Sequence, residues 1–284
     1  MAKKSKKKDI RLPVRFHQTF IPEKKYITSL LRFAAGGGEG TDQEISAETG
    51  IPVGQSSGKV PAIISYSRGM GLIEVKKGRK SGQKRPLLTD FGRSVLLEDP
   101  NLSEAISQWI AHLHLCRRSG GAEIWHLTFG PASDILGMEF SEDQLEDYLS
   151  GIFGKHNRSL IGPMVRMYAE QEAFKTAGAI VREKSGLHRV PAPILGGFAN
   201  GYAAFLLAIW ERHFPQDRQV TLTDFEAETF WQRIAGWNDR QAEIILGMLQ
   251  EKGAIDVDRQ IRPWVLTRKA ESKSYWRVLY DDLA

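Results

Sequence analysis

Residues 76–85, KKGRKSGQKR, hold six cations and no acid, and their flanks limit what such a stretch can be. Upstream, about residues 57–70 place Val60, Ile63, Ile64 and Ser67 on one side at three-and-four spacing, which predicts a helix with one apolar face. Gly71 suits the end of that helix, because glycine takes the left-handed conformation without penalty. Residues 72–75 then read as a strand and 86–89 as its return. A helix followed by a basic two-stranded hairpin is the ordering of a winged helix-turn-helix, a nucleic-acid-binding shape.

The residues before it complete that order. A first helix is predicted from Pro22, with Glu23 near the positive end of its dipole and Tyr26, Ile27, Leu30, Leu31 and Ala34 as its buried stripe. Gly36-Gly37-Gly38 stops it. Thr41-Asp42-Gln43-Glu44 fits a capping box for a short second helix.

Charge divides the chain unevenly. Residues 1–12 carry +5, 13–100 carry +4, and 101–200 and 201–284 carry −2 each, which gives the net +5. A polyanion would therefore be met in the first third. Lys3, Lys4, Lys6, Lys7 and Lys8 form a basic arm with nothing to bury, expected to be disordered alone and able to lie along phosphates. No run of about 18 apolar residues exists to span a membrane. The charged N-terminus is not a secretory signal, and the single cysteine, Cys116, suits a reducing cytoplasm.

Further along, residues 89–97 read as a helix closing the first domain. Ser103 is the expected cap of the next, with Ile106, Trp109, Ile110 and Leu113 on one face, and residues 122–130 fit strand or helix equally. Ser141 to Gln144 forms a second capping box, a longer helix is expected over 160–177, and 178–197 reads as an irregular connection. Residues 199–214 form an apolar helix central to a helical core. Thr223 and Asn238 are the expected caps of two later helices. Gly253-Ala254-Ile255-Asp256-Val257 echoes Gly71-Leu72-Ile73-Glu74-Val75 in residue type, and Arg262-Pro263 with Thr267 echoes Arg85-Pro86 with Thr89. The second hairpin, turning at Asp258-Arg259-Gln260, lacks the cation cluster, so a protein-contacting role is expected for it.

DNA contact is assigned to Lys76, Lys77, Arg79, Lys80, Lys84 and Arg85 on the hairpin, meeting backbone phosphates. Ser57, Lys59, Ala62 and Tyr66 lie off the helix's apolar stripe and are the candidates to face bases. Residues 54–60 superficially resemble a phosphate-binding loop, but three residues instead of four separate the glycines, and Val60 follows the lysine. Glu74-Val75-Lys76 has the Glu-x-Lys spacing of metal-dependent nucleases, without an obvious upstream metal-binding Asp. His112, His114, Cys116 and His126 are the nearest approach to a metal set, though only His112 and Cys116 share a helix face, and capped or buried histidines are the expected reading. No metal site, cofactor or catalytic residue is assigned.

Short motifs then carry a resemblance: His17-Gln18-Thr19-Phe20, Leu88-Thr89-Asp90-Phe91-Gly92, Asp99-Pro100-Asn101-Leu102, Trp109-Ile110-Ala111-His112 and Trp125. In this order they resemble the prokaryotic "domain of unknown function 4007" family. The resemblance implies a non-catalytic component of a bacterial DNA-phosphorothioation or phage-defence system, encoded beside phosphoadenosine-phosphosulfate-reductase-like proteins, and supplies no catalytic residues.

The expected fold is mainly α with small β-wings. It comprises a basic arm (1–12), a winged helix-turn-helix (13–100), a helical middle domain (101–215) and a C-terminal winged-helix-like unit (216–284). The expected function is a cytoplasmic adaptor that docks partner proteins of a DNA-modification or defence complex on double-stranded DNA. The alternatives are a homodimeric transcription regulator of the same operon and, more remotely, a metal-dependent nuclease using Glu74.

Overall fold

A computed structural model gives the fold and describes residues 10–53, 58–154 and 160–283. About half the chain is helical, and the strands pair into small antiparallel sheets.

Helix α1 (Lys24–Ala35) buries Ile27, Leu30, Leu31 and Ala34, the stripe that its spacing predicts. Helix α2 (Asp42–Thr49) opens on a full capping box, with Thr41 Oγ1 accepting from Glu44 N and the Glu44 carboxylate accepting from Thr41 N. Helix α3 (Lys59–Gly69) follows, and Gly71 at φ +74° turns the chain into β1 (Ile73–Lys77). Strand β1 pairs antiparallel with β2 (Lys84–Leu88), Ile73 opposite Leu88. Thr89 caps α4 (Asp90–Glu98): its Oγ1 accepts from Gly92 N at 2.9 Å and donates to the Gly71 carbonyl at 2.6 Å. The Leu-Thr-Asp-Phe-Gly motif thus welds the return strand to the glycine turn.

Helix α5 (Ala105–Cys116) is buried from Ile106 through Cys116, so it runs through the interior. Its cap differs from expectation. Glu104, not Ser103, is the N-cap residue, and no side chain among the described residues caps the first turn. The Asp99 carboxylate instead accepts from Ser103 N at 2.8 Å and Glu104 N at 3.0 Å in the turn leading into the helix. A carboxylate offers two oxygens and meets both donors, which one hydroxyl does not. The ambiguous stretch becomes helix α6 (Glu123–Phe129), followed by α7 (Ser133–Leu136), β3 (Glu139–Phe140) and α8 (Glu142–Phe153), the last with the predicted Ser141 capping box.

Two expectations for the middle region fail. The helix over 160–177 stops early as α9 (Gly162–Ala169), because Glu170 leaves helical geometry and the chain turns to bury Ala173 and Phe174. The supposed irregular connection contains a hairpin, β4 (Ile180–Glu183) and β5 (Gly186–Arg189), with β3 on the far edge of β5. Four-residue strands are too short for alternation to stand out in sequence.

Helix α10 (Ala199–His213) is buried around most of its circumference and packs on α5. Then come β6 (Gln219–Thr221), α11 (Leu222–Thr229), α12 (Trp231–Ala235), α13 (Asp239–Glu251), β7 (Ile255–Asp258), β8 (Val265–Arg268) and α14 (Ser272–Trp276). Thr221, not Thr223, caps α11, accepting from Asp224 N, while Asn238 forms the predicted cap of α13.

The echo between the two halves is a structural repeat with a changed register. Gly71 and Gly253 share left-handed geometry at φ +74° and +73°. Ile73 faces Leu88, and Ile255 faces Arg268. Lys269 N donates to the Ala254 carbonyl where Thr89 N donates to that of Leu72. The partner of Thr89 is therefore Lys269 rather than Thr267, and Pro263 lies outside the strands while Pro86 lies within one. A short Arg-Pro match cannot specify register; the hydrogen-bond ladder does. Each copy also pairs a segment before its second helix with the return strand: Gly40 with Lys84 in the first, β6 with β8 in the second. Buried apolar side chains form one continuous cluster from Leu12 to Leu279.

Candidate nucleic-acid interface

Strand register decides what the basic hairpin can do. Lys76 lies opposite Arg85 and Lys77 opposite Lys84, so like charges face each other across the ladder. Such pairs destabilise a sheet by themselves. Lys76, Lys77 and Arg85 are exposed, and none has an ion pair among the described residues. Lys80 is also exposed, at the turn. Arg79 approaches Glu39 at 3.4 Å with its side chain 85% exposed, so that contact is a loose surface pair.

The turn is nevertheless held in shape. Gly78 N donates to the Gln83 carbonyl, Lys80 N donates to Gln83 Oε1, and Gly82 takes φ +78°. Gln83 Nε2 reaches Glu44, the residue that closes the α2 capping box. Lys84 is the anchor. Its backbone exchanges both hydrogen bonds with Gly40, and its Nζ lies 2.6 Å from Asp42 Oδ1. The hairpin is thereby fastened to the start of α2, with its remaining cations facing outward.

The helix before it is placed otherwise than expected. Helix α3 is enclosed by α1, α2, α5 and the segment before α1. Tyr66 is fully buried, edge-on to Phe16 and Trp125 at 4.7 and 5.8 Å, and its hydroxyl donates to the Phe20 carbonyl. Ala62 is fully buried as well. Lys59 Nζ pairs with Glu23 and lies over the rings of Phe20 and Tyr26. Ala62 and Tyr66 therefore have no base-facing surface, and Lys59 is committed to a contact within the protein. A hydrophobic residue on every turn of a short helix fits enclosure better than a groove-facing role. Arg68 is the exposed residue of this helix, and sequence spacing did not single it out. Ser57 and Lys3, Lys4, Lys6, Lys7 and Lys8 lie outside the described residues.

The histidines near Cys116 are separately buried. His112 Nδ1 shares a hydrogen bond with Tyr168 Oη at 2.7 Å, and Cys116 Sγ lies 3.6 Å from the same nitrogen. His126 Nδ1 donates to the Cys116 carbonyl. Burial holds His112 at a pKa of about 3 and His126 at about 4, so both rings are neutral. Among the described residues no group of three or more His, Cys, Asp and Glu has metal-binding geometry. No helix there is long and apolar enough to cross a membrane.

No family model matches the chain, and no curated protein matches it. Solved structures do. The structure titled "Magnesium ion-bound SspB crystal structure" aligns over 95% of this chain and 88% of its own, with TM-score 0.70 and 18% identity. A second, "SspB crystal structure", aligns over 97% and 90%, with TM-score 0.65 and 17% identity. At these identities the chain shares the overall fold of SspB along nearly its full length.

Proposed function

We propose that this protein is a DNA-binding adaptor of a bacterial phosphorothioation-type modification or defence system. Residues 13–100 act as a winged-helix unit whose hairpin meets duplex phosphates, and the rest of the chain holds partner proteins. The observation that carries the reading is the cation-on-cation register of β1 and β2, with the hairpin anchored by Lys84 to Asp42. Lys84 is neutralised by Asp42, but the facing Lys76 and Arg85 have no counter-charge among the described residues, and their repulsion is relieved by a polyanion. Support for the winged-helix reading comes from element order: α1, Gly40 segment, α2, α3, β1, β2, repeated as α10, β6, α11, α13, β7, β8. In that repeat α10 takes the place of α1, so the second unit begins near Ala199 rather than at residue 216.

The buried α3 favours phosphate-led, sequence-tolerant binding over base reading, and so favours the adaptor over the operon regulator. The setting follows from the family resemblance of residues 17–125, with which the SspB fold neighbours are in keeping. Partner contact in the second copy is supported by exposed apolar residues on its outer face, Ile244 on α13 and Ile261 at the hairpin tip.

The test is a fluorescence-polarisation salt titration on duplex DNA. Changing Lys76, Lys77, Lys80 and Arg85 to Ala should make the log–log slope shallower, by about 0.9 for each phosphate that the protein no longer neutralises. An unchanged slope sinks the hairpin reading. If supercoiled plasmid is instead nicked in magnesium and Glu74→Gln abolishes the nicking, the nuclease reading replaces the adaptor.

A further inference from the structure

An open cleft of about 950 Å³ is lined by β1 and β2, by the end of α1, and by residues of α4, α5, α10 and α14. Three arginines from distant parts of the chain meet there: Arg68 at the end of α3, Arg117 just past α5 and Arg212 near the end of α10. Arg117 and Arg212 converge at Gly120, where a Cβ atom would lie 3.1 Å from Arg212 Nη2 and 3.2 Å from Arg117 Nη2. Gly120, at φ +82°, leaves that space open.

The cluster has no carboxylate counter-charge among the described residues, only the negative ends of the helix dipoles of α3, α5 and α10. None of the three arginines has an ion pair with a carboxylate among the described residues. Arg212 Nε donates to Ser119 Oγ, and Arg117 Nη1 is held by His114 Nδ1, both neutral acceptors. Arg117 Nε is shielded from solvent and has no hydrogen-bond partner. Burial, and then the charges of Arg212 and Arg68, pull Arg117 down to about 9 from the usual arginine range. The lining acids are Glu74 and Asp90, and Asp90 is engaged by Arg93 at 3.9 Å. Arg117 is half-buried with its Nε shielded, and it stands without a carboxylate beside two exposed guanidiniums, which is costly for the protein alone because no counter-charge offsets their repulsion.

We propose that this cleft is a binding site for a phosphoryl group, clasped by Arg68, Arg117 and Arg212. Guanidinium forks match tetrahedral oxyanions with paired N–H donors, and three of them neutralise a dianion. The cleft exceeds the size of inorganic phosphate, and Phe91, Trp276, Ile73 and Leu88 give it an apolar side. The phosphoryl group therefore belongs to a larger organic ligand, either a free mononucleotide or a DNA strand. Lys76 lines the rim and belongs also to the hairpin, so a strand could pass from one to the other. The site does not depend on the hairpin reading.

Thermal unfolding of the full chain in sodium phosphate and in sodium chloride at equal ionic strength tests it. Wild-type protein should melt higher in phosphate, because a ligand that binds the folded state alone stabilises it. The Arg68→Gln/Arg212→Gln variant, both side chains exposed, should show a clearly smaller difference, keeping only the general salting-out effect of phosphate, and melt no lower than wild type in chloride. Lys77→Ala/Lys80→Ala should keep it, separating this site from the hairpin. Titration with deoxyadenosine 5′-monophosphate and with a 12-base-pair duplex identifies the source. A tenfold or greater loss for the duplex in the arginine variant assigns the site to DNA, and the same loss for the mononucleotide alone assigns it to a free nucleotide. Equal melting of wild type in the two salts, a phosphate shift as large in the arginine variant as in wild type, or unchanged affinity for both organic ligands overturns the proposal.

Discussion

The hydroxyl of Tyr66 donates to the carbonyl oxygen of Phe20 across 3.1 Å, tying the middle of α3 to the segment that leads into α1. A side chain so used is structural. Tyr66→Phe should destabilise the protein by about 1 kcal/mol, the net worth of one such bond, and Tyr66→Ala by about 3–5 kcal/mol, as for other large core truncations. Duplex affinity of the folded protein should change less than twofold in both. A selective loss of affinity for some DNA sequences in Tyr66→Phe would restore the base-reading role.

Gly92 sits in the first turn of α4 against the Leu72 carbonyl, and a Cβ there would lie 1.9 Å from that oxygen. Helix propensity alone favours alanine over glycine by about 1 kcal/mol. The close approach reverses the sign, so Gly92→Ala should lower the urea midpoint markedly. A stabilised Gly92→Ala would mean that the glycine turn and α4 are not locked together as described.

Stability should fall in mild acid. Burial holds His112 at about 3 and His17 and His126 at about 4, whereas the unfolded rings take up protons near 6.5. As pH falls below 6.5 the unfolded state gains protons that the folded state refuses, so this stability is present above 6.5 and lost below it. Glu226 works oppositely. Burial raises it to about 7, so its contribution is lost as pH rises from the ordinary carboxylate range toward 7. Burial also holds His114 well below its ordinary value, so four histidines outweigh one carboxyl, and the net loss between pH 6 and 5 should be on the order of 3 kcal/mol per pH unit or more. Urea unfolding across that range checks it; a flat profile would contradict the burial of these rings.

Ile244 on α13 and Ile261 at the hairpin tip are 45% and 78% exposed, and in the same hairpin Arg259 and Arg262 stack over Trp264 at 5.4 and 5.3 Å. Arginine with aromatic and aliphatic side chains is the composition of a protein interface core. Ile244→Asp/Ile261→Asp should remove partner proteins from a native-host pulldown while leaving the salt slope on DNA unchanged. Retention of every partner by this variant would move the adaptor face elsewhere.

Sequence alone determined the features set within a few residues: the capping boxes at Thr41 and Ser141, the helix cap at Asn238, the glycine turns at Gly71 and Gly253, the basic hairpin and the charge asymmetry. These rest on interactions three or four residues apart, or on one residue's own backbone freedom, so the local pattern carries them. Before α5 local pattern chose wrongly: Ser103 does not cap it, and the Asp99 carboxylate holds the turn that leads into the helix. Tertiary structure decided which surfaces exist. Ala62 and Tyr66 read as outward-facing in sequence, but both are fully buried, Tyr66 beneath Phe16 and Trp125, and no local pattern announces that cover. The register that sets Lys76 against Arg85 is a property of the ladder. Arg68, Arg117 and Arg212 are ordinary residues where each stands in the chain. They become a site because three helices packed for apolar burial bring their charged ends together, and burial strengthens a charge's need for a counter-ion.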